Sequence, residues 1–244
     1  MMNLRKIPKV IVLGLLTMML FSLTGCLYPD DQSKVGNGSA RESVLVVQDA
    51  VDRYQEKTGV LPMQNADAKT LEYEKFRVDF GKLKRMDFIA QVPSTAFENG
   101  GGFQFLIIDE EMNPLVKLLD LAVFQAVTDV QKKVDAYRTS HANQNPSGDE
   151  LYPGFQMINF KKLNMSEPKI KSMFSNQSLN LLVNEQGQVL VDYGTDVMAA
   201  VKKLNDQPQP EVDLRRVLIE ASYFVPVRSP VYHWVNGEPL PVRA

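Results

Sequence analysis

Cys26 is the only cysteine among 244 residues, and it stands directly after Leu23-Thr24-Gly25. A thiolate is a strong nucleophile whose reactivity depends on access. Thr24 and Gly25 keep the backbone ahead of it slim, which leaves the thiol sterically accessible. If a modification consumes that thiol, none remains for a disulfide, a thiolate metal site or a cysteine nucleophile.

Other residue types that carry chemistry are sparse. His141 and His233 are the only histidines, and neither has a partner at ligand spacing, so no metal site is expected. His141 precedes Asp149 and Glu150 in a polar loop, where solvation outweighs an acid–base role. Asn99-Gly100-Gly101-Gly102 lacks the Lys-Ser/Thr of a phosphate loop and reads as a turn before a strand. Asp109-Glu110-Glu111 lacks the alternating oxygen ligands and glycine of a calcium loop and reads as a solvated hairpin turn. Neither Gly-x-Ser-x-Gly nor His-Glu-x-x-His occurs. No catalytic residue or cofactor is therefore assigned, and the expectation is a protein that is not an enzyme.

The elements around Cys26 explain its setting. Arg5, Lys6 and Lys9 form a basic start, and Val10 to Leu23 are nearly uninterrupted apolar residues, the order of an export signal. Such a stretch extends about 21 Å as a helix against a bilayer core of roughly 30 Å, so cleavage before Cys26 is favoured over a permanent span. Leu23-Thr24-Gly25-Cys26 resembles the lipobox of bacterial lipoprotein precursors. That resemblance implies a diacylglyceryl group on the sulfur, a new N-terminus at Cys26 and a place on the extracytoplasmic face of the cell membrane. Two acyl chains suffice for stable anchoring, each buried methylene contributing about 0.8 kcal/mol.

Without residues 1–25 the chain keeps 219 residues, with 24 Lys plus Arg against 29 Asp plus Glu, a net charge of −5. This balance argues against nucleic acid and supplies no polybasic patch for the membrane. Residues 26–40 are rich in Gly, Ser and Asp and read as a flexible tether.

The body beyond the tether is duplicated. Val44-x2-Val47-Gln48-x2-Val51-Asp52-x-Tyr54 returns as Val127-x2-Val130-Gln131-x2-Val134-Asp135-x-Tyr137, at a constant offset of 83. Tyr73-x2-Phe76 returns as Tyr152-x2-Phe155, and Phe80-x-Lys82-Leu83 as Phe160-x-Lys162-Leu163. Leu106-Ile107-Ile108-Asp109-Glu110 with Leu115-Val116 matches Leu181-Leu182-Val183-Asn184-Glu185 with Leu190-Val191. The expected fold class is α+β: two tandem units of about 80 residues, each a helix followed by a small antiparallel sheet. They occupy 41–118 and 119–194, and 195–244 form a C-terminal helix and a β- and Pro-rich tail.

Within these units Ser39 and Glu42 suggest a capping box, Gly59 a helix stop and Asp120 an N-cap. Polar loops are expected at 63–69 and 142–150. Hairpins are expected at 103–108 with 115–118, and at 179–183 with 188–193 around Glu185-Gln186-Gly187. A helix is read at 196–204 with Val197, Ala200, Val201 and Leu204 on one face. A strand is read at 217–225, and an edge hairpin at Tyr232–Val235 turning through Asn236-Gly237, with the tail capping the second unit. Tyr223, Phe224, Tyr232 and Trp234 concentrate aromatic side chains in this tail, either as an interaction surface or as a buried cap.

The stretch Val51-Asp52-Arg53-Tyr54-Gln55-Glu56-Lys57-Thr58-Gly59-Val60-Leu61-Pro62, with the box at Cys26, resembles the YphF-type lipoprotein family of bacilli. No activity comes with that resemblance. Tyr54-x4-Gly59-x2-Pro62 is also similar to the segment after the helix of pilin-like proteins, but their leader is missing here. The expected function is a non-enzymatic binding module at the cell envelope, with an envelope protein or wall component as partner. The alternatives are a small solute-binding lipoprotein serving an ABC-type transporter and an envelope hydrolase. Whether a small-molecule ligand binds is left open.

Overall fold

The computed structural model describes residues 32–243 except 65, 68 and 69. Leu23, Thr24, Gly25, Cys26 and the start of the tether lie outside the described residues. The chain divides into a leading part up to Asn37 and a body from Gly38, and the packing described below is that of the body.

Helix α1 spans Gln32–Thr58. Residues 32–40 are thus helical where a tether was expected, and Ser39 lies inside the helix instead of capping it. The reason is packing: Ala40 is buried beside Val44, Val47, Val51 and Tyr54, and a nucleated helix propagates readily ahead of such a face. The helix stops as expected at Gly59, whose φ of +73° suits glycine and whose N–H reaches Gln55 O at 2.8 Å.

A 3-10 turn at Glu72–Glu74 leads into β1 (Phe76–Arg77), and a short helix α2 (Phe80–Arg85) follows, capped by Asp79. Strands β2 (Phe103–Ile108) and β3 (Leu115–Asp120) complete a sheet of order β1-β2-β3, all antiparallel. Helix α3 (Leu121–Ser140) begins the pattern again, with Asp120 accepting from the N–H groups of Ala122 and Val123. Then come β4 (Ser147–Tyr152), β5 (Phe155–Ile158), β6 (Leu181–Asn184) and β7 (Val189–Val191), in the order β4-β5-β6-β7. Strand β4 occupies much of the expected loop at 142–150. Its exposed polar side chains and irregular register suit an edge strand and hide it from a search for apolar alternation.

The duplication extends to individual hydrogen bonds. Asp79 N–H bonds Pro62 O at 2.7 Å, and Asn159 N–H bonds Pro146 O at 2.7 Å. Lys82 Nζ reaches Met63 O at 2.9 Å, and Lys162 Nζ reaches Ser147 O at 3.0 Å. Strand register corrects two of the sequence matches by one residue, and a third by two, since Val116 corresponds to Val189 and not Val191. Phe76 pairs with Ile107 as Gln156 pairs with Val183, so Phe76 corresponds to Gln156 and not Phe155, and Ile107 corresponds to Val183 and not Leu182. A one-residue slip exchanges the faces of a strand, and β2 and β6 are apolar on both, so composition does not reveal it.

Both faces of the first sheet are covered. Phe105, Ile107, Val116 and Leu118 pack on α1, while Leu106, Ile108 and Leu119 join the larger core formed with α3, the second sheet and the tail. Val123, Val127, Val130 and Val134 line the buried side of α3 against Leu181, Val183, Val189 and Val191. Burying each such aliphatic side chain contributes about 1.5–3 kcal/mol.

The tail opens with α4 (Gly194–Val201), which buries Val197 and Val201 but stops short of Leu204, an exposed residue beyond the helix. Residues expected as a strand at 217–225 begin instead as helix α5 (Arg215–Ala221). Val217-Leu218-Ile219 reads as β by composition, yet Arg215, Leu218 and Ile219 are buried at i, i+3 and i+4, and the Asp213 carboxylate takes Arg215 N–H at 3.0 Å. The hairpin β8 (Tyr232–Val235) and β9 (Glu238–Pro241) closes the chain through Asn236-Gly237 as expected.

Between α5 and β8 the tail runs past the free edges of both sheets. Leu118 N–H bonds Tyr223 O at 2.8 Å, Val225 N–H bonds Leu118 O at 3.0 Å, and Val191 N–H bonds Arg228 O at 3.0 Å. The tail therefore seals β3 as well as β7, and does more than cap the second unit.

Candidate functional site

Glu74 and Arg228 meet where the first sheet, the start of α3 and the tail come together. Glu74 is 7% exposed, and its Oε1 accepts Arg228 N–H at 3.0 Å. Arg228 Nε stands 3.4 Å from Glu74 Oε2, an ion pair by distance, yet it makes no hydrogen bond. The guanidinium carbon lies 4.9 Å from the Phe124 ring centroid, a cation–π distance. Arg228 adopts a left-handed φ of +53°, and its bonds to Glu74 and Val191 hold it there. Burial pushes the Glu74 carboxyl above its ordinary 4.5, with Arg228 opposing the rise.

These residues wall a cavity of about 370 Å³, completed by Arg77 and Gln104 from the first sheet, Asp67 and Thr70 from the loop before it, and an apolar floor of Leu119, Leu121 and Phe124. Gln104 is buried and held by Glu98 Oε1 at 2.9 Å. An apolar floor with a few converging charges is the usual build of a ligand site, and the volume falls in its lower range. Carboxylates and guanidinium groups there equip the cavity to hold a polar group by charge and hydrogen bonds.

The aromatic residues singled out in the tail are elsewhere and serve the core. Tyr232 is fully buried and Phe224 is 5% exposed, while Tyr223 and Trp234 are half-buried against the same clusters. The interaction-surface alternative for Phe224 and Tyr232 is thereby corrected: their rings face inward because the tail fills the gap between the sheets. Tyr232 OH donates to Asp192 Oδ1 at 2.8 Å and accepts Tyr193 N–H at 2.9 Å.

His141 stacks on Tyr137 at 3.8 Å in an exposed helix end. Asp109 in the hairpin turn is tied to Arg216. Ser166-Glu167-Pro168-Lys169 has the Ser-x-x-Lys spacing, but it lies in irregular chain where no helical turn joins hydroxyl and amine. Among the described residues no group of three His, Cys, Asp or Glu side chains is placed to hold a metal ion.

The cavity residues come from positions 67 to 228, so no local motif announces them. The trace that exists is polar intrusion: Gln104 and Lys117 interrupt the otherwise apolar β2 and β3 on the face turned toward the tail. Lys117 Nζ there donates to Ile219 O at 2.6 Å and Ser222 O at 2.5 Å, capping the end of α5.

The architecture defines an α+β protein made from a repeated helix-and-sheet unit with a shared tail. Residues 40–120, the first repeat through the end of β3, match the model of the YphF family N-terminal domain. No curated protein and no solved structure matches the chain.

Proposed function

We propose that the chain is an extracytoplasmic lipoprotein, moored to the cell membrane through diacylated Cys26, and that its body is a non-enzymatic binding module for an envelope protein or wall component. The order of basic start, short apolar run and box at Cys26 supports the mooring. Among the described residues no helix is long and apolar enough to cross a membrane, which is compatible with a lipid anchor.

The observation that carries the binding reading is the cavity at the repeat junction, whose volume of about 370 Å³ suits a single residue or sugar of a larger partner. Crosslinking in intact membranes, with crosslink sites mapped by mass spectrometry, tests it. The expected result is a discrete partner crosslinked at the cavity rim and weakened by Arg77→Glu. Crosslinks unaffected by Arg77→Glu would remove the cavity from the reading, and Cys26→Ala protein that stays membrane-bound after processing would remove the anchor.

The same volume favours, as a second reading, a small solute delivered to a transporter. Thermal stabilisation of purified protein by a panel of small solutes, lost with Arg77→Glu, is its test.

A further inference from the structure

The two repeats treat one corresponding groove differently. In the second, Gln131 on α3 holds the hairpin by donating to Gly187 O at 2.9 Å and accepting Val189 N–H at 2.7 Å. Arg138, seven residues further along the helix, then lies on the hairpin turn. A Cβ on Gly187 would stand 2.5 Å from Arg138 Cζ, so the guanidinium rests directly on bare glycine backbone. Its Nη1 donates to Asn145 Oδ1, and Asn145 Nδ2 donates to Asn184 O at 2.8 Å. Helix, loop and turn are locked around this arginine.

In the first repeat Gln48 makes the matching bonds, donating to Pro114 O at 3.0 Å and accepting Val116 N–H at 2.6 Å. Pro114 thus corresponds to Gly187, and Gln55, again seven residues on, corresponds to Arg138. The shorter, uncharged Gln55 leaves a cavity of about 520 Å³ between α1 and the hairpin, lined also by Asp52, Glu56, Asn113 and Pro114. Asp52 and Glu56 are exposed one helical turn apart, and among the described residues no ion pair engages either. Asp52 repeats the role of Asp135: Gln48 Nε2 reaches Asp52 Oδ1 at 2.8 Å, as Gln131 Nε2 reaches Asp135 Oδ1 at 2.8 Å.

We propose that the first groove receives from a partner protein what the second supplies from its own helix: an arginine side chain. The lining offers two carboxylates and the amide oxygens of Gln55 and Asn113, acceptors that suit a planar five-donor fork. Pro114, without an N–H, presents a flat face for the guanidinium where the second repeat presents Gly187. This inference depends neither on lipid at Cys26 nor on the junction cavity, so it stands or falls separately from both.

The test uses the full chain with three probes, the N-acetyl methylamides of arginine, lysine and citrulline, followed through the side-chain amide NMR signals of Gln48 and Gln55. Arginine is expected to shift both signals saturably and to bind about tenfold more tightly than its neutral isostere citrulline. Asp52→Asn combined with Glu56→Gln is expected to weaken arginine by about tenfold. Gln55→Arg, which fills the groove from within, is expected to abolish probe binding without lowering the melting temperature, whereas Arg138→Gln lowers it. Equal binding of arginine and citrulline, a preference for lysine, absence of a saturable shift, or arginine binding that survives Gln55→Arg would each overturn the proposal.

Discussion

Gln48 and Gln131 occupy equivalent helix positions and make the same three bonds, each joining a carbonyl just ahead of a strand, an N–H of that strand and the aspartate one turn along its own helix. The strands they hold, β3 and β7, lie at the sheet edges. A side-chain amide here imitates a neighbouring strand, accepting one N–H and donating to one C=O.

Removing that amide leaves buried backbone groups without partners. Gln48→Ala and Gln131→Ala are each expected to lose about 2 kcal/mol in urea unfolding, and glutamate at either place, which sets a carboxylate oxygen against the carbonyl and the aspartate that the amide N–H groups satisfied, to lose at least as much. A loss in one repeat with none in the other would show that the equivalence is geometric and not energetic.

Lys117→Met keeps the aliphatic stem but strips the end of α5 of its cap. The expected loss is about 2 kcal/mol, with hydrogen exchange rising first at Ile219 and Ser222. Unchanged protection there would mean that α5 is held by packing alone.

Tyr232→Phe measures what the buried hydroxyl contributes to the tail. As a core hydroxyl joining Asp192 and Tyr193, it is expected to lose about 1–2 kcal/mol when removed, read as a lower melting temperature in the isolated protein. A melting temperature that does not move would take stabilising weight away from this buried bond pair.

Glu74 imposes a pH dependence whose sign is set. Its carboxyl titrates above 4.5 in the folded chain because it is buried, so over the window just above 4.5 the folded state binds more protons than the unfolded one. Stability is expected to fall as pH rises through that window, and Glu74→Gln is expected to flatten the slope. Urea unfolding across a pH series reads this directly.

Much of the scaffold was legible because its signals are local. The valine faces of α1 and α3 recur at helical spacing, Asp120 and Gly59 mark helix ends, and Glu185-Gln186-Gly187 and Asn236-Gly237 mark turns. Register was not legible, since β2 and β6 are apolar on both faces and nothing in the residue types distinguishes one alignment from its neighbour. Helix α5 was masked by β-branched composition, and its burial stripe exists only once the two sheets are in place. The junction cavity was the least accessible to sequence, because Glu74 acquires its meaning from Arg228, a residue 154 positions away.

The strip of backbone from Tyr223 to Arg228 borders two sheets at once, so it acts as a common seam. Cutting the protein ahead of that seam would do more than shed a terminus: two borders of unpaired amides would open together, each able to recruit a strand from another molecule. Shortened versions should therefore clump instead of merely softening, and the integrity of this last stretch governs whether both borders stay closed to strands from other molecules.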